Sequence, residues 1–167
     1  ELVAKNGIRN IYAHEGFSYR IGKDVWLEVM YPPKEPEKVQ TLLSKGDNNR
    51  SLLLLLRYQG TGVLFTGDIE SDVEQYLAPE WNGNVDVLKV AHHGSNTSTA
   101  DEWLEAVKPQ LAIIQVGKNS FGHPHSQVLQ RLEQRGVRVL RNDHHGAVMA
   151  SYRNGQWHVR VMVNEPL

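Results

Sequence analysis

Eight histidines occur in this 167-residue chain, and six of them fall in three short polar loops. The loops read His92-His93-Gly94-Ser95, Gly122-His123-Pro124-His125 and Asp143-His144-His145-Gly146. A carboxylate, Asp68, ends the apolar run 63–65 in Thr66-Gly67-Asp68. Carboxylate oxygen and neutral imidazole nitrogen are donors that suit zinc or manganese. One carboxylate can also bridge two ions, as two-metal phosphoesterases require. Each group has a plainer reading when taken alone. An Asp after a strand is a common helix N-cap, and paired histidines often sit on loops. Scattered histidines would not gather at three equivalent places, and the clustering is the best support for a site.

The elements around these groups place them together. Residues 63–65 and 85–90 read as strands, and the segment between them reads as a helix. Ser71-Asp72-Val73-Glu74 has capping-box spacing, the helix runs through Leu77, and Pro79 ends it. Parallel strands need such a crossover. In open α/β sheets ligands bind at the carboxyl ends of the strands. Asp68 and His92-His93 would then face one crevice. Glu70 is either a ligand-orienting or proton-carrying group, or a first-turn carboxylate favoured by the helix dipole. Lys89 alternates with Leu88 and Val90 and reads as facing solvent. Thr99 and Glu102 repeat the capping-box pattern, ahead of a helix ending before Pro109. Residues 111–116 form the next strand, so the loop 117–125 falls on the same edge as Asp68. A helix from Ser126 and a strand at 137–140 follow. Residues 148–152 and 157–163 read as a hairpin around Asn154-Gly155.

Upstream, residues 1–9 look like a boundary, and 11–13, 17–21 and 25–31 read as short strands. Residues 34–48 are polar and charged and read as a flexible loop at the rim of the site. Five consecutive leucines, 52–56, suggest a strand buried on both faces. It pairs with 63–66 as a hairpin. Asn49 and Ser51, just before it, either orient a ligand or substrate or cap backbone in the turn. His14 and His158 read as structural.

Composition narrows the field. The length fits one domain, 1–167. The net charge of -1 gives no global basic field, so a nucleic acid would have to be held locally. With no cysteine, there are no disulfides or thiolate ligands, and a metal must sit on nitrogen and oxygen. No apolar run is long enough to span a bilayer.

The ordered set Asn49-x-Ser51, Thr66-Gly67-Asp68, His92-His93-Gly94-Ser95, Gly122-His123-Pro124-His125 and Asp143-x-x-Gly146-Ala147 resembles the C-terminal hydrolase domain of ComEC/Rec2 competence proteins. That domain belongs to the metallo-β-lactamase-fold hydrolases. The resemblance covers roughly residues 10–153. It implies an α/β fold, an αββα sandwich of mixed sheets flanked by helices. It implies a divalent metal, zinc or manganese, with two ions in the full domain. Asp68 is then the bridging metal ligand and His93 the other. His92 contacts substrate or orients His93. His125, and His123 with it, stabilise phosphate charge or protonate a leaving group. Asn49, Glu70 and Ser95 contact substrate or orient ligands. The implied reaction is phosphodiester hydrolysis, a DNA nuclease acting in uptake, on a single strand or duplex. The implied parent is a multi-pass bacterial membrane protein.

The superfamily's H-x-H-x-D-H ligand motif is absent from this chain. The expectation is therefore the C-terminal portion of the fold, carrying an incomplete site that holds no metal by itself. An apolar sheet face would be left for the missing N-terminal half, or for self-association. Three other readings stand beside this one. His123-x-His125 could complete a site with Asp68 and His93. The chain could be a non-enzymatic scaffold or DNA-channel module. Or the substrate could be a small ester or lactone.

Overall fold

A computed structural model describes residues 5–7 and 11–163 of the chain. The expected boundary at 1–9 lies largely outside the described residues. Seven strands form one sheet in sequence order. They are β1 (Ser18–Gly22), β2 (Val25–Tyr31), β3 (Leu53–Tyr58), β4 (Thr61–Phe65), β5 (Val87–Lys89), β6 (Leu111–Ile114) and β7 (Arg138–Arg141). β1 to β4 pair antiparallel, and β4 to β7 pair parallel. The carboxyl ends of β4, β5, β6 and β7 therefore share one edge, as the crossover pattern predicts. β8 (Val148–Arg153) and β9 (Gln156–Val161) form a separate hairpin. Gln59-Gly60 and Asn154-Gly155 turn the two hairpins, each with two consecutive positive φ angles. That is the backbone a two-residue turn needs to match strand twist.

Five helices follow from the segments between strands: α1 (Gln40–Ser44), α2 (Ser71–Leu77), α3 (Asp101–Val107), α4 (Ser126–Gln134) and α5 (Asn142–His145). Val73, Trp103, Leu104, Val128 and Leu132 pack in one buried cluster with Leu53, Leu55, Leu64, Leu88 and Ile114 of the strands. Full burial of such side chains stabilises by about 1.5–3 kcal/mol each.

Three local expectations differ from what forms. Residues 11–13 make no strand. The segment 34–48 is not structureless: it winds into short 3-10 turns and α1, anchored by fully buried Val39. The leucine run is sealed on one face only. Leu53 and Leu55 are fully buried, while Leu54 and Leu56 point to a half-covered second face. On that face Val87, Leu111 and Leu140 pack against Trp157, Val159 and Val161 of the hairpin. The hairpin meets β3 where the rings of Tyr152 and Tyr58 stand 6.2 Å apart, and beside that contact an apolar groove of about 450 Å³ is lined by Leu56, Val63, Phe65, Tyr152 and Trp157 among others. None of the motif histidines, nor Asp68, lines it.

Both capping boxes give way to a longer-range arrangement. Neither α2 nor α3 has a side-chain cap from its own first residues. Glu74, inside α2 and fully buried, instead accepts hydrogen bonds from the amides of Thr99 (2.7 Å) and Ala100 (2.8 Å). It caps α3 from a neighbouring helix. Burial pushes its carboxyl up to about 7, outweighing the two amides that pull it down.

Glu74→Ala should lower stability by about 2 kcal/mol in urea unfolding, because two buried amides lose their acceptor. The folded protein holds a proton on Glu74 that the unfolded chain releases above pH 4.5. The native chain should therefore lose stability as pH rises from about 4.5 to about 7, where Glu74→Gln shows no such slope.

Candidate metal centre

Asn49 and Ser51 lie just ahead of β3, and both reach across to the turn after β4. The Ser51 hydroxyl accepts from the Asp68 amide at 3.0 Å, and Asn49 Oδ1 accepts from the Glu70 amide at 3.0 Å. The Asn49 amide group donates to Leu42 O at 3.2 Å, and Tyr31 donates its hydroxyl to Asn49 O at 3.0 Å. Asn49 has no exposed surface. Of its two readings, the structure supports a brace for backbone, one that sets where Asp68 sits.

The turns then close on each other. Gly67 has φ +57°, and a Cβ there would lie 2.6 Å from Ser51 Cβ. Gly94 has φ +83°, and a Cβ would lie 2.5 Å from Pro124 Cβ. His92 and His93 also have positive φ, 47° and 55°. The His92 amide donates to Gly67 O (3.2 Å), and the His125 amide donates to Gly94 O (2.9 Å). Backbone contacts thus join the Thr-Gly-Asp, His-His-Gly-Ser and Gly-His-Pro-His turns into one edge.

On this edge, His93 Nδ1 bonds to Gln115 O at 2.7 Å. A carbonyl only accepts, so Nδ1 carries a proton, and in the neutral ring the lone pair is then on Nε2. Nε2 faces Asp68 Oδ2 at 3.8 Å. His92 Nδ1 is buried with no hydrogen-bond partner and lies 3.7 Å from Glu70 Oε1. Glu70 is held by Asn48 Nδ2 (3.3 Å) and the Thr97 hydroxyl (3.1 Å). Ser95 is buried and bonds to that same threonine hydroxyl at 3.0 Å. The rings of His92 and His123 are 5.6 Å apart, and those of His123 and His125 are 5.4 Å apart. Burial and then its three histidine neighbours push the His123 imidazole down from its ordinary value.

Lys89 is the residue that strand alternation misplaced. It points away from the helix-covered core, but its ammonium turns back to Gly67 O (2.9 Å) and Val90 O (3.2 Å), 3.9 Å from Asp68 Oδ1. Its side chain is 15% exposed, and burial lowers its pKa against the opposing pull of Asp68. A charge inside a short strand buried on both faces was the available signal. His144 and His145 lie in the helical turn after β7. His145 Nδ1 meets the Arg141 backbone, and His144 lies beside the Arg141-paired Asp143.

Asp68 and His93 fit two positions of a metal site. Their free acceptors converge, and His93 is oriented through its far nitrogen, as ligand histidines are. A catalytic zinc takes three protein ligands, and among the described residues no group of three or more His, Asp or Glu side chains is set to hold an ion. The alternative in which His123-x-His125 completes a site with Asp68 and His93 finds no such grouping among the described residues.

The metallo-beta-lactamase superfamily model matches residues 5–118. The chain belongs to the metallo-beta-lactamase superfamily. It is similar to "ComE operon protein 3" of Bacillus subtilis, 43% identical over 109 residues, which is 64% of this chain and 14% of that protein. "Recombination protein 2" of Haemophilus influenzae is 38% identical over 110 residues, 65% of this chain and 14% of that protein. "Competence protein ComA" of Neisseria gonorrhoeae is 36% identical over 112 residues, 65% of this chain and 16% of that protein. The chain thus spans a small fraction of the length of these curated relatives. A crystal structure from Parabacteroides distasonis, assigned as a metal-dependent hydrolase, matches with a TM-score of 0.50 at 16% identity, over 83% of this chain and 60% of that one. That likeness is one of fold. Among the described residues no helix is long and apolar enough to cross a membrane.

Gly94→Ala should cost at least about 2 kcal/mol, from left-handed strain and overpacking against Pro124 together. Urea unfolding measures it. A loss under about 0.5 kcal/mol, the ordinary surface value, would mean that the turns are not locked.

Proposed function

We propose that this chain carries part of the active site of a metal-dependent phosphodiesterase that cleaves DNA in the course of its uptake. The observation that carries the reading is the 3.8 Å approach of His93 Nε2 to Asp68 Oδ2, with the other ring nitrogen of His93 already engaged by Gln115 O. With a neutral His93 the two are the nitrogen and oxygen donors that suit a divalent cation. The printed names of the relatives, a competence protein and a recombination protein, support DNA as the substrate class.

In this reading Asp68 and His93 would be the metal ligands that this chain supplies. The remaining ligands come from elsewhere in a longer, membrane-bound parent. A bound divalent ion, zinc or manganese, would supply an acidified water and charge for the phosphate oxygens. The chain's own groups do the rest. His92, with Glu70 3.7 Å from its Nδ1, contacts the substrate's edge. His125 and His123 hold a phosphate oxygen or deliver a proton to the departing oxygen. Net reaction is addition of water across one P–O bond, leaving a phosphomonoester and a hydroxyl.

Zinc titration followed by imidazole 15N NMR tests the site in this chain. Binding is expected to be weak, to shift His93 Nε2 and not Nδ1, and to vanish in Asp68→Asn. A doubly protonated His93 at pH 7.5, ion-paired with Asp68 and indifferent to zinc, overturns the reading. In the longer parent, Asp68→Asn and His93→Ala should each lower manganese-dependent DNA cleavage by at least about 100-fold, no less than the loss of a ligand-orienting group. Cleavage of a small ester with DNA left intact would assign the site to a different substrate.

A further inference from the structure

The loop between β6 and α4 carries a side chain that the site as described does not use. Phe121 is 75% exposed. The ring lies in water beside the histidine-lined pocket. It is not there through slack in the loop. The Asn119 side chain makes four hydrogen bonds inside this loop. Its Nδ2 donates to Gly117 O and His123 O, both at 2.9 Å, and its Oδ1 accepts from the amides of Phe121 (3.0 Å) and His123 (3.1 Å). One amide group therefore fixes the loop on both sides of the ring and presents it outward.

The ring also continues a row. Phe121 stands 5.8 Å from His123, which stands 5.6 Å from His92. Beneath it lies a pocket of about 470 Å³, lined by His93, Gln115, Lys118, Asn119, Phe121 and His123 among others. That volume lies within the range of small-ligand sites, about 300–1,000 Å³. Its wall offers an exposed cation in Lys118, an aromatic face in Phe121 and the imidazoles of the motif turns. An aromatic face beside a cation suits a nucleobase next to its phosphate, because every base has a π-face and each phosphate a negative charge.

We propose that Phe121 is a stacking platform for one unpaired nucleobase, with Lys118 beside the adjoining phosphate, so that the site takes single-stranded polynucleotide. The inference rests on the phosphodiesterase reading for the identity of its substrate, but binding tests it without any catalysis. Duplex DNA keeps its bases stacked inside and cannot use the platform. The deoxyribose and ribose forms share the chemistry and are separated by the experiment.

The test is fluorescence anisotropy with a labelled ten-residue oligothymidylate, the matching oligouridylate, and an abasic oligomer of equal length that keeps the phosphates and lacks the bases. Phe121→Ala should weaken oligothymidylate binding on the order of tenfold and leave the abasic oligomer unchanged. Phe121→Trp should restore binding, and the fluorescence it adds should be quenched by oligothymidylate alone of the two deoxyribose oligomers. Oligouridylate bound as tightly as oligothymidylate marks a base platform indifferent to sugar; weaker oligouridylate binding marks one selective for DNA, and either supports the platform. Lys118→Ala should weaken both deoxyribose oligomers. Equal binding of oligothymidylate by native protein and Phe121→Ala, or native protein that does not prefer oligothymidylate to the abasic oligomer, overturns the proposal. An exposed position makes misfolding of these variants unable to mimic the result. Base-dependent binding in a parent that hydrolyses no phosphodiester would remove the hydrolase reading and leave the platform standing.

Discussion

Two glycines set the spacing on which everything at the strand edge depends. Gly67 lies against Ser51 and Gly94 against Pro124, each too close for a Cβ. The approach brings three turns from distant parts of the chain into backbone contact. Only then do His92 and Gly67 share a hydrogen bond, and only then does the His125 amide reach Gly94. The position of His93 opposite Asp68 follows from those contacts. Side chains choose the chemistry here, but backbone proximity decides whether they meet. Gln115 completes the geometry by engaging the far nitrogen of His93 through its carbonyl.

Much of this was legible beforehand, and for a physical reason. Parallel strands joined by short helices leave a periodic record: apolar runs, a polar turn, then a helical stripe. That record located β4 to β7 and put Asp68, His93 and His123 on one edge. What escaped were interactions whose partners lie far along the chain. Glu74 has capping-box spacing within α2, yet its acceptors serve Thr99 and Ala100, and local spacing cannot reveal a helix capped by its neighbour. Asn49 and Ser51 looked like turn caps, and they do bind backbone amides, but those of Asp68 and Glu70. Lys89 obeyed strand alternation and still avoided water, because a four-carbon stem can turn a charge back onto carbonyls. The segment 34–48 looked too polar for structure, and a single buried valine with short helical turns organised it.

The second sheet face shows how the same chain treats apolar surface. Its hairpin covers β5 to β7, and the groove beside β3 and β4 stays open. The leucine run lies across that boundary, with one side sealed against helices and the other side only half covered. An uninterrupted apolar strand therefore records two different environments, and alternation could not separate them because both call for leucine. The groove and the pocket beside His93 and His123 do not share lining residues. Packing against one need not disturb the other.

The run His92-His93-Gly94 has a last consequence. Three consecutive residues sit in the left-handed region. For glycine this is ordinary, but for an L side chain it is uphill by roughly 1–2 kcal/mol per residue. In an extended strand, neighbouring side chains point to opposite faces. Coiled this way, two adjacent imidazoles fan toward the same side instead, one to Glu70 and one to Asp68. The strain is the means by which a two-residue stretch serves two separate positions. A chain optimised for stability alone would place asparagine or glycine at 92 and 93, and would fold more firmly with nothing to offer a ligand.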